Sequence, residues 1–263
     1  MIPVGDTARA RSVPYVNLSI ILLNFLVFFY ELTLSAQAAG SGVTELDRFI
    51  FDWGATPACL NTVLGLHVTI PRERLVEYQA VCNEGDGHVI ATLFTSMFLH
   101  AGWTHILGNM LFLWIFGDNV EDRMGHVGYA VFYTLVGLFA SFTHAFMNVN
   151  DTIPSVGASG AISGVMAAYL VLYPRANVRL LLPFLWFWLA EVPAWVLIGS
   201  WFLLQLVNGY AAMAETAQSG GVAWFAHIGG FLAGLLLVWV FRREPGGPSY
   251  RPPPRPRDFL DFP

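Results

Sequence analysis

The stretch 15–34, YVNLSIILLNFLVFFYELTL, is twenty residues long and holds a single charged side chain, Glu31. A helix of that length rises about 30 Å, the thickness of the hydrocarbon core of a bilayer. In water it would have to be covered on every side. Five further apolar runs follow, at 103–120, 127–148, 157–174, 193–210 and 222–241. Hydrophobic residues make up 56% of the chain and charged residues 12%, about half the charged share of a soluble domain. The expected fold class is an all-α integral membrane protein, a bundle of six transmembrane helices.

One more apolar segment, VRLLLPFLWFWLAEV at 178–192, is broken by Pro183 and bounded by Pro193. It is too short to span and is expected to lie at the membrane interface, leading into the fifth helix. With six spans both termini share one side. That side holds ten arginines (Arg9, Arg11, Arg123, Arg175, Arg179, Arg242, Arg243, Arg251, Arg255 and Arg257), against Arg48, Arg72 and Arg74 on the other. The excess marks the termini as cytoplasmic. The expected organisation is a cytoplasmic arm at 1–14, a six-span unit at 15–241 with an external loop at about 35–88, and a Pro- and Arg-rich cytoplasmic tail at 242–263. The two cysteines, Cys59 and Cys82, share the external loop, where they either pair or remain free thiols. No signal or transit peptide is expected ahead of the first run. The net charge of −5 points away from nucleic acid. The compact chain and short arm suggest a bacterial or archaeal plasma membrane.

Polar residues inside spans are costly and become functional candidates for that reason. The fourth span opens with Gly157-Ala158-Ser159-Gly160 and continues to Gly164; the sixth carries Ala226-His227 followed by Gly230 and Gly234; the second carries His105 and Asn109. All three helices run inward, so Ser159, His227, His105 and Asn109 fall at similar depth near the outer face. The Gly160/Gly164 and Gly230/Gly234 pairs let two helix backbones approach closely, and His227 lies one turn before Gly230 on the same face. A serine hydroxyl needs a base to become nucleophilic, and histidine serves at neutral pH. Ser159 at a helix start, with His105 and Asn109 as donors, suits a developing oxyanion. No Asp or Glu is expected at that depth, so the chemistry reads as a dyad.

These motifs, in this order and on these spans, resemble the rhomboid family of intramembrane proteases, as does Glu121-Asp122-Arg123-Met124-Gly125 after the second span. The resemblance covers roughly residues 15–241. It implies a serine endopeptidase in which Ser159 attacks and His227 acts as base and then acid. It also implies an oxyanion hole of His105, Asn109 and the Ser159 amide, and a structural role for Glu121 and Arg123. Single-span membrane proteins, cut within or beside the membrane segment, are the implied substrates, with the lipid bilayer as medium and no cofactor or metal. Some members carry an aromatic residue one turn after the serine, packed on the histidine ring; here that position is Ser163.

Other readings fit less of the sequence. Ser159 alone could be a packing residue and His227 alone a satisfied core histidine; their shared depth beside paired glycines favours catalysis. His105 and Asn109 could simply bond within the bundle. His100 is expected to order the loop before the second span, His144 to be structural, and Glu31 and Glu191 to be solvated near span ends. A zinc protease would need His-Glu-x-x-His, and an aspartyl protease two facing carboxylates. A transporter would be expected to show paired interrupted helices. The main alternative is a catalytically inactive rhomboid-like protein that binds membrane segments, against which both Ser159 and His227 are retained.

Overall fold

The computed structural model describes residues 2–8, 10–35, 44–82, 85–182, 188–214 and 222–243. The tail from 244 onward and Pro183 lie outside the described residues. Six long or central helices build the body: α1 (Tyr15–Ser35), α6 (Trp103–Met124), α7 (His126–Met147), α8 (Ser159–Leu172), α9 (Ala194–Ala214) and α10 (Trp224–Phe241). Between α1 and α6 the expected loop folds into α2 (Glu45–Trp53), α3 (Pro57–Val63), α4 (Leu75–Cys82) and α5 (Asp86–Thr95).

Four of these helices, α1, α7, α9 and α10, are long and apolar enough to cross a membrane. Their outward faces are apolar and exposed, for example Leu22, Leu26 and Phe29 on α1, Leu203, Leu204 and Val207 on α9, and Leu236, Trp239 and Val240 on α10. Such surface is stable only against lipid. The protein is therefore an integral membrane protein. α6 ends in Asp118, Glu121, Asp122 and Arg123, and α8 has 14 residues, so neither has the composition and length of a free-standing span.

α8 is the axis of the bundle. Every residue from Gly160 to Tyr169 is buried, against α6 on one side, α7 on another and α10 on a third. The contact with α10 is backbone to backbone. A Cβ placed on Gly230 would lie 2.0 Å from the Gly160 carbonyl oxygen, and one on Gly234 would lie 2.4 Å from that of Gly164. Glycine at these positions is a packing requirement.

Glu121 is fully buried near the C-terminal end of α6. It accepts hydrogen bonds from the amides of Val16 (3.0 Å) and Asn17 (2.7 Å), so it caps the start of α1, and it meets His126 Nδ1 at 2.5 Å at the start of α7. Gly125, at φ +74°, makes the one-residue turn between α6 and α7, with the Arg243 guanidinium packed where a side chain would stand. The Arg123 guanidinium lies over the ring of Tyr173, 5.7 Å from its centre.

The all-α expectation needs one correction. β1 (Ile2–Asp6), β2 (Asn177–Leu182) and β3 (Trp188–Pro193) form a three-stranded antiparallel sheet in that order. The N-terminal arm, expected as a plain leader into the first span, thus contributes a strand, and the expected interfacial segment 178–192 supplies two. The cause is a two-residue alternation: Val178 and Leu180 are buried while Arg179 between them is exposed and pairs across the hairpin with Glu191 at 3.2 Å. The sheet is held to the bundle at Asp6, whose carboxylate accepts from the Tyr169 hydroxyl of α8 and from Asn119 Nδ2 of α6 (3.1 Å).

The segment between α1 and α6 also has a fixed structure. Cys59 and Cys82 are disulfide-bonded with their Cα atoms 5.1 Å apart, joining α3 to α4. Ala55 pairs with Ser155 in a short antiparallel bridge, and Ala58 N donates to Asp151 O at 2.9 Å. The connection from α7 into α8 is thereby pinned by the segment that precedes α6.

Candidate active site

Three helix positions converge at the start of α8. Ser159 is its first residue, so the first-turn amides have no acceptor within the helix and present partial positive charge. The chain enters through Gly157 at φ +124°, whose amide is held by the Ser96 carbonyl at 2.8 Å. α10 places His227 one turn above Gly230, and the glycine crossing brings the two side chains together. Ser159 Oγ lies 2.7 Å from His227 Nε2. His227 is buried, 7% exposed, while Ser159 is half-buried and so open to a reactant.

The imidazole of His227 is held from α9. Its Nδ1–H donates to Gln205 Oε1 at 2.8 Å, and the Trp201 ring lies 5.6 Å from it, centre to centre, with Trp224 edge-on at 6.4 Å. Ser163 does not touch the ring. It is fully buried and its hydroxyl donates to the Gly160 and His227 carbonyls.

α6 supplies the second half of the site. His105 Nε2 lies 2.7 Å from where a Gly157 side chain would begin, and Asn109 Nδ2 lies 3.6 Å from it. The missing side chain at Gly157 therefore leaves a space lined by both donors. Asn109 donates one amide hydrogen to His100 Nε2 at 3.0 Å, and the His100 and His105 rings meet edge to face at 5.0 Å. Burial, reinforced by His105 alongside, pushes the His100 imidazole down to about 3, so it is neutral and accepts from Asn109. The backbone amide of His100 donates to the Glu31 carboxylate at 3.1 Å.

Ser159, His227, His105 and Asn109 thus meet in one place, beside Gly157 and the Gly160, Gly164, Gly230 and Gly234 crossing. Glu121 and Arg123 do not: they stand about 18–27 Å from His105 and Asn109 along α6, at 1.5 Å per residue. Sequence reasoning missed three neighbours. His100 was expected only to order a loop, yet it orients Asn109. Glu31 is expected from the sequence to be solvated, yet it is 2% exposed and accepts the His100 amide. Gln205 had no sequence signal beyond being a polar residue in an apolar run.

A Rhomboid domain model matches residues 87–244. The chain is 32% identical over 160 residues to Rhomboid-like protein 11, chloroplastic, of Arabidopsis thaliana, covering 57% of this chain and 52% of that protein. It is 28% identical over 156 residues to Rhomboid protein 1, mitochondrial, of Saccharomyces cerevisiae, covering 58% and 42%. It is 29% identical over 149 residues to Rhomboid-type serine protease 2 of Emericella nidulans, covering 57% and 26%. The chain spans about half or less of the length of these curated relatives. Two of the names carry organelles, so the expected bacterial or archaeal plasma membrane finds no support among them.

Proposed function

The chain belongs to the rhomboid family, and from that premise we propose that it is an intramembrane serine endopeptidase acting through a Ser159–His227 dyad. The observation that carries this reading is the 2.7 Å approach of Ser159 Oγ to His227 Nε2. The distance lies within the reach a general base needs.

His227 Nε2 takes the Ser159 proton as Oγ attacks the carbonyl carbon of the scissile peptide. The carbonyl oxygen becomes an oxyanion, received by the second amide hydrogen of Asn109, by His105 and by the Ser159 amide. The imidazolium then gives its proton to the leaving amine, and the C–N bond breaks. Water, deprotonated by the same nitrogen, attacks the acyl-enzyme and releases Ser159. His100 takes no part in the bond changes; it keeps Asn109 turned toward the space beside Gly157.

In this reading six helices cross the membrane as one unit over 15–241, with α6 and α8 sheltered inside the other four. The external segment lies outside, and the sheet and the 242–263 tail are cytoplasmic. Placed there, Ser159 is near the outer face, and the substrates are single-span membrane proteins cut within or beside the bilayer. The test is covalent labelling of the purified chain by a fluorophosphonate, beside Ser159→Ala and His227→Ala. Labelling that is lost in both variants is the expected result. A folded chain that does not label would shift the reading to an inactive relative that binds membrane segments.

A further inference from the structure

The inner face of α9 runs through Ile198, Phe202, Gln205 and Gly209, with half-buried Trp201 and Asn208 beside them, and Gln205 is its one fully buried polar side chain. Phe202 stacks on Phe231 of α10 at 4.0 Å, and Gly209 gives room to Ile228. Packing alone would be served by a leucine at position 205. An amide buried at this depth, 4% exposed, is retained at a cost unless its polar atoms are used.

Both are used, and each assignment fixes the next. Gln205 Nε2 donates to the Trp201 carbonyl one turn back, at 3.1 Å. The other atom, Oε1, must then face His227 Nδ1, 2.8 Å away. A carbonyl oxygen only accepts, so Nδ1 carries the hydrogen. A neutral imidazole protonated there has its lone pair on Nε2, and that is the atom facing Ser159 Oγ. Three helices, α9, α10 and α8, thus carry a continuous chain from Trp201 O to Ser159.

We propose that Gln205 is a positioning residue for the reaction. It holds His227 in the tautomer able to accept the serine proton, and its carbonyl dipole stabilises the imidazolium that forms. The proposal rests on the Ser159–His227 chemistry above. Gln205 occupies the place that a carboxylate holds in a serine–histidine–aspartate triad, but as a neutral group, which avoids the cost of a charge buried in the bundle. The other groups facing the ring are Ser159 from α8, His105 from α6, His144 from α7, Trp201 from α9 and Trp224 on α10 itself. Of these only His105 and His144 carry titratable imidazoles, and neither is an acceptor fixed to Nδ1.

The test is the rate of fluorophosphonate labelling from pH 4 to 9, on the full chain in detergent, for the unaltered protein, Gln205→Leu and Gln205→Glu. Leucine keeps the packing and removes the acceptor; labelling at pH 8 is expected to slow by at least ~10-fold, with thermal unfolding retained. Glutamate restores an acceptor and adds charge. It is expected to recover the rate and move the acid limb of the profile upward by about 1 pH unit or more, because a carboxylate favours the imidazolium. A purely structural Gln205 would give no such displacement. With an unaltered chain that labels, either a Gln205→Leu rate close to the unaltered one or a Gln205→Glu profile superimposed on it overturns the positioning role and leaves the dyad standing. An unaltered chain that does not label removes the dyad, and the positioning role falls with it.

Discussion

The Ser163 hydroxyl of α8 reaches the main-chain carbonyl of His227 on α10, 3.0 Å away, and also the carbonyl of Gly160 at 2.6 Å. A Cβ on Gly230 would stand 2.6 Å from that same hydroxyl. Ser163 therefore fastens α10 by its backbone and leaves no room for a ring. Replacing it with alanine should cost about 1 kcal/mol of stability while labelling stays within a few-fold of normal. Replacing it with tyrosine should overpack the crossing, lowering stability by about 1–3 kcal/mol or more, and should slow labelling. Thermal unfolding in detergent beside labelling rates separates the two outcomes.

The glycine crossing makes a sharper contrast. Gly234→Val would drive a side chain into the Gly164 backbone, and destabilisation of about 3 kcal/mol or more is expected, with loss of labelling. Gly199→Ala on α9 meets nothing within 4 Å. That change should be neutral or stabilising by up to about 1 kcal/mol, through helix propensity. Yield of monodisperse protein and its unfolding temperature provide the comparison.

Asn109→Ala removes a donor from the space beside Gly157 and leaves Ser159 and His227 in contact. Labelling and turnover should fall by about 10- to 1000-fold, and the fold should persist. An unchanged rate would take Asn109 out of the oxyanion site.

The sheet should respond to pH through Asp6. Burial pushes its carboxyl up to about 6, the Tyr169 hydrogen bond pulls the other way, Asp118 raises it and Arg179 lowers it. A raised acid favours the protonated folded form. Its stabilising contribution is full below the ordinary value of 3.8 and is lost as pH rises through about 6. Hydrogen exchange across residues 2–6 should therefore quicken relative to intrinsic rates between pH 4 and 7. In Asp6→Asn that dependence should be largely absent; if it persists unchanged, another group controls the strand.

The parts of the structure that could be read in the sequence are those in which a residue's meaning is set along the chain. Runs of span length marked the six main helices, and helix direction placed Ser159, His227, His105 and Asn109 at one depth before any contact was known. The glycine spacing located the close crossing in the same way. Gln205, His100 and Glu31 were hidden because their roles depend on which face of one helix meets another. A polar residue in an apolar run gives no sign of the nitrogen it will meet. The β2–β3 hairpin was partly visible in Val178-Arg179-Leu180 and Ala190-Glu191-Val192, but the aromatic run between them outweighed the alternation. The Cys59–Cys82 bond required a geometry that spacing does not contain.

The shortness of α8 has a consequence for timing. Fourteen residues rise about 21 Å, short of the ~30 Å of a bilayer's hydrocarbon core. During synthesis α8 emerges before α9 and α10, with its serines and glycine-exposed backbone still uncovered. Its backbone-to-backbone contact forms only once α10 is present, after nearly all of the bundle has been made. Ser159 and His227 thus first meet in a finished bundle, and a chain cut short before α10 holds the serine without the imidazole that stands 2.7 Å from it.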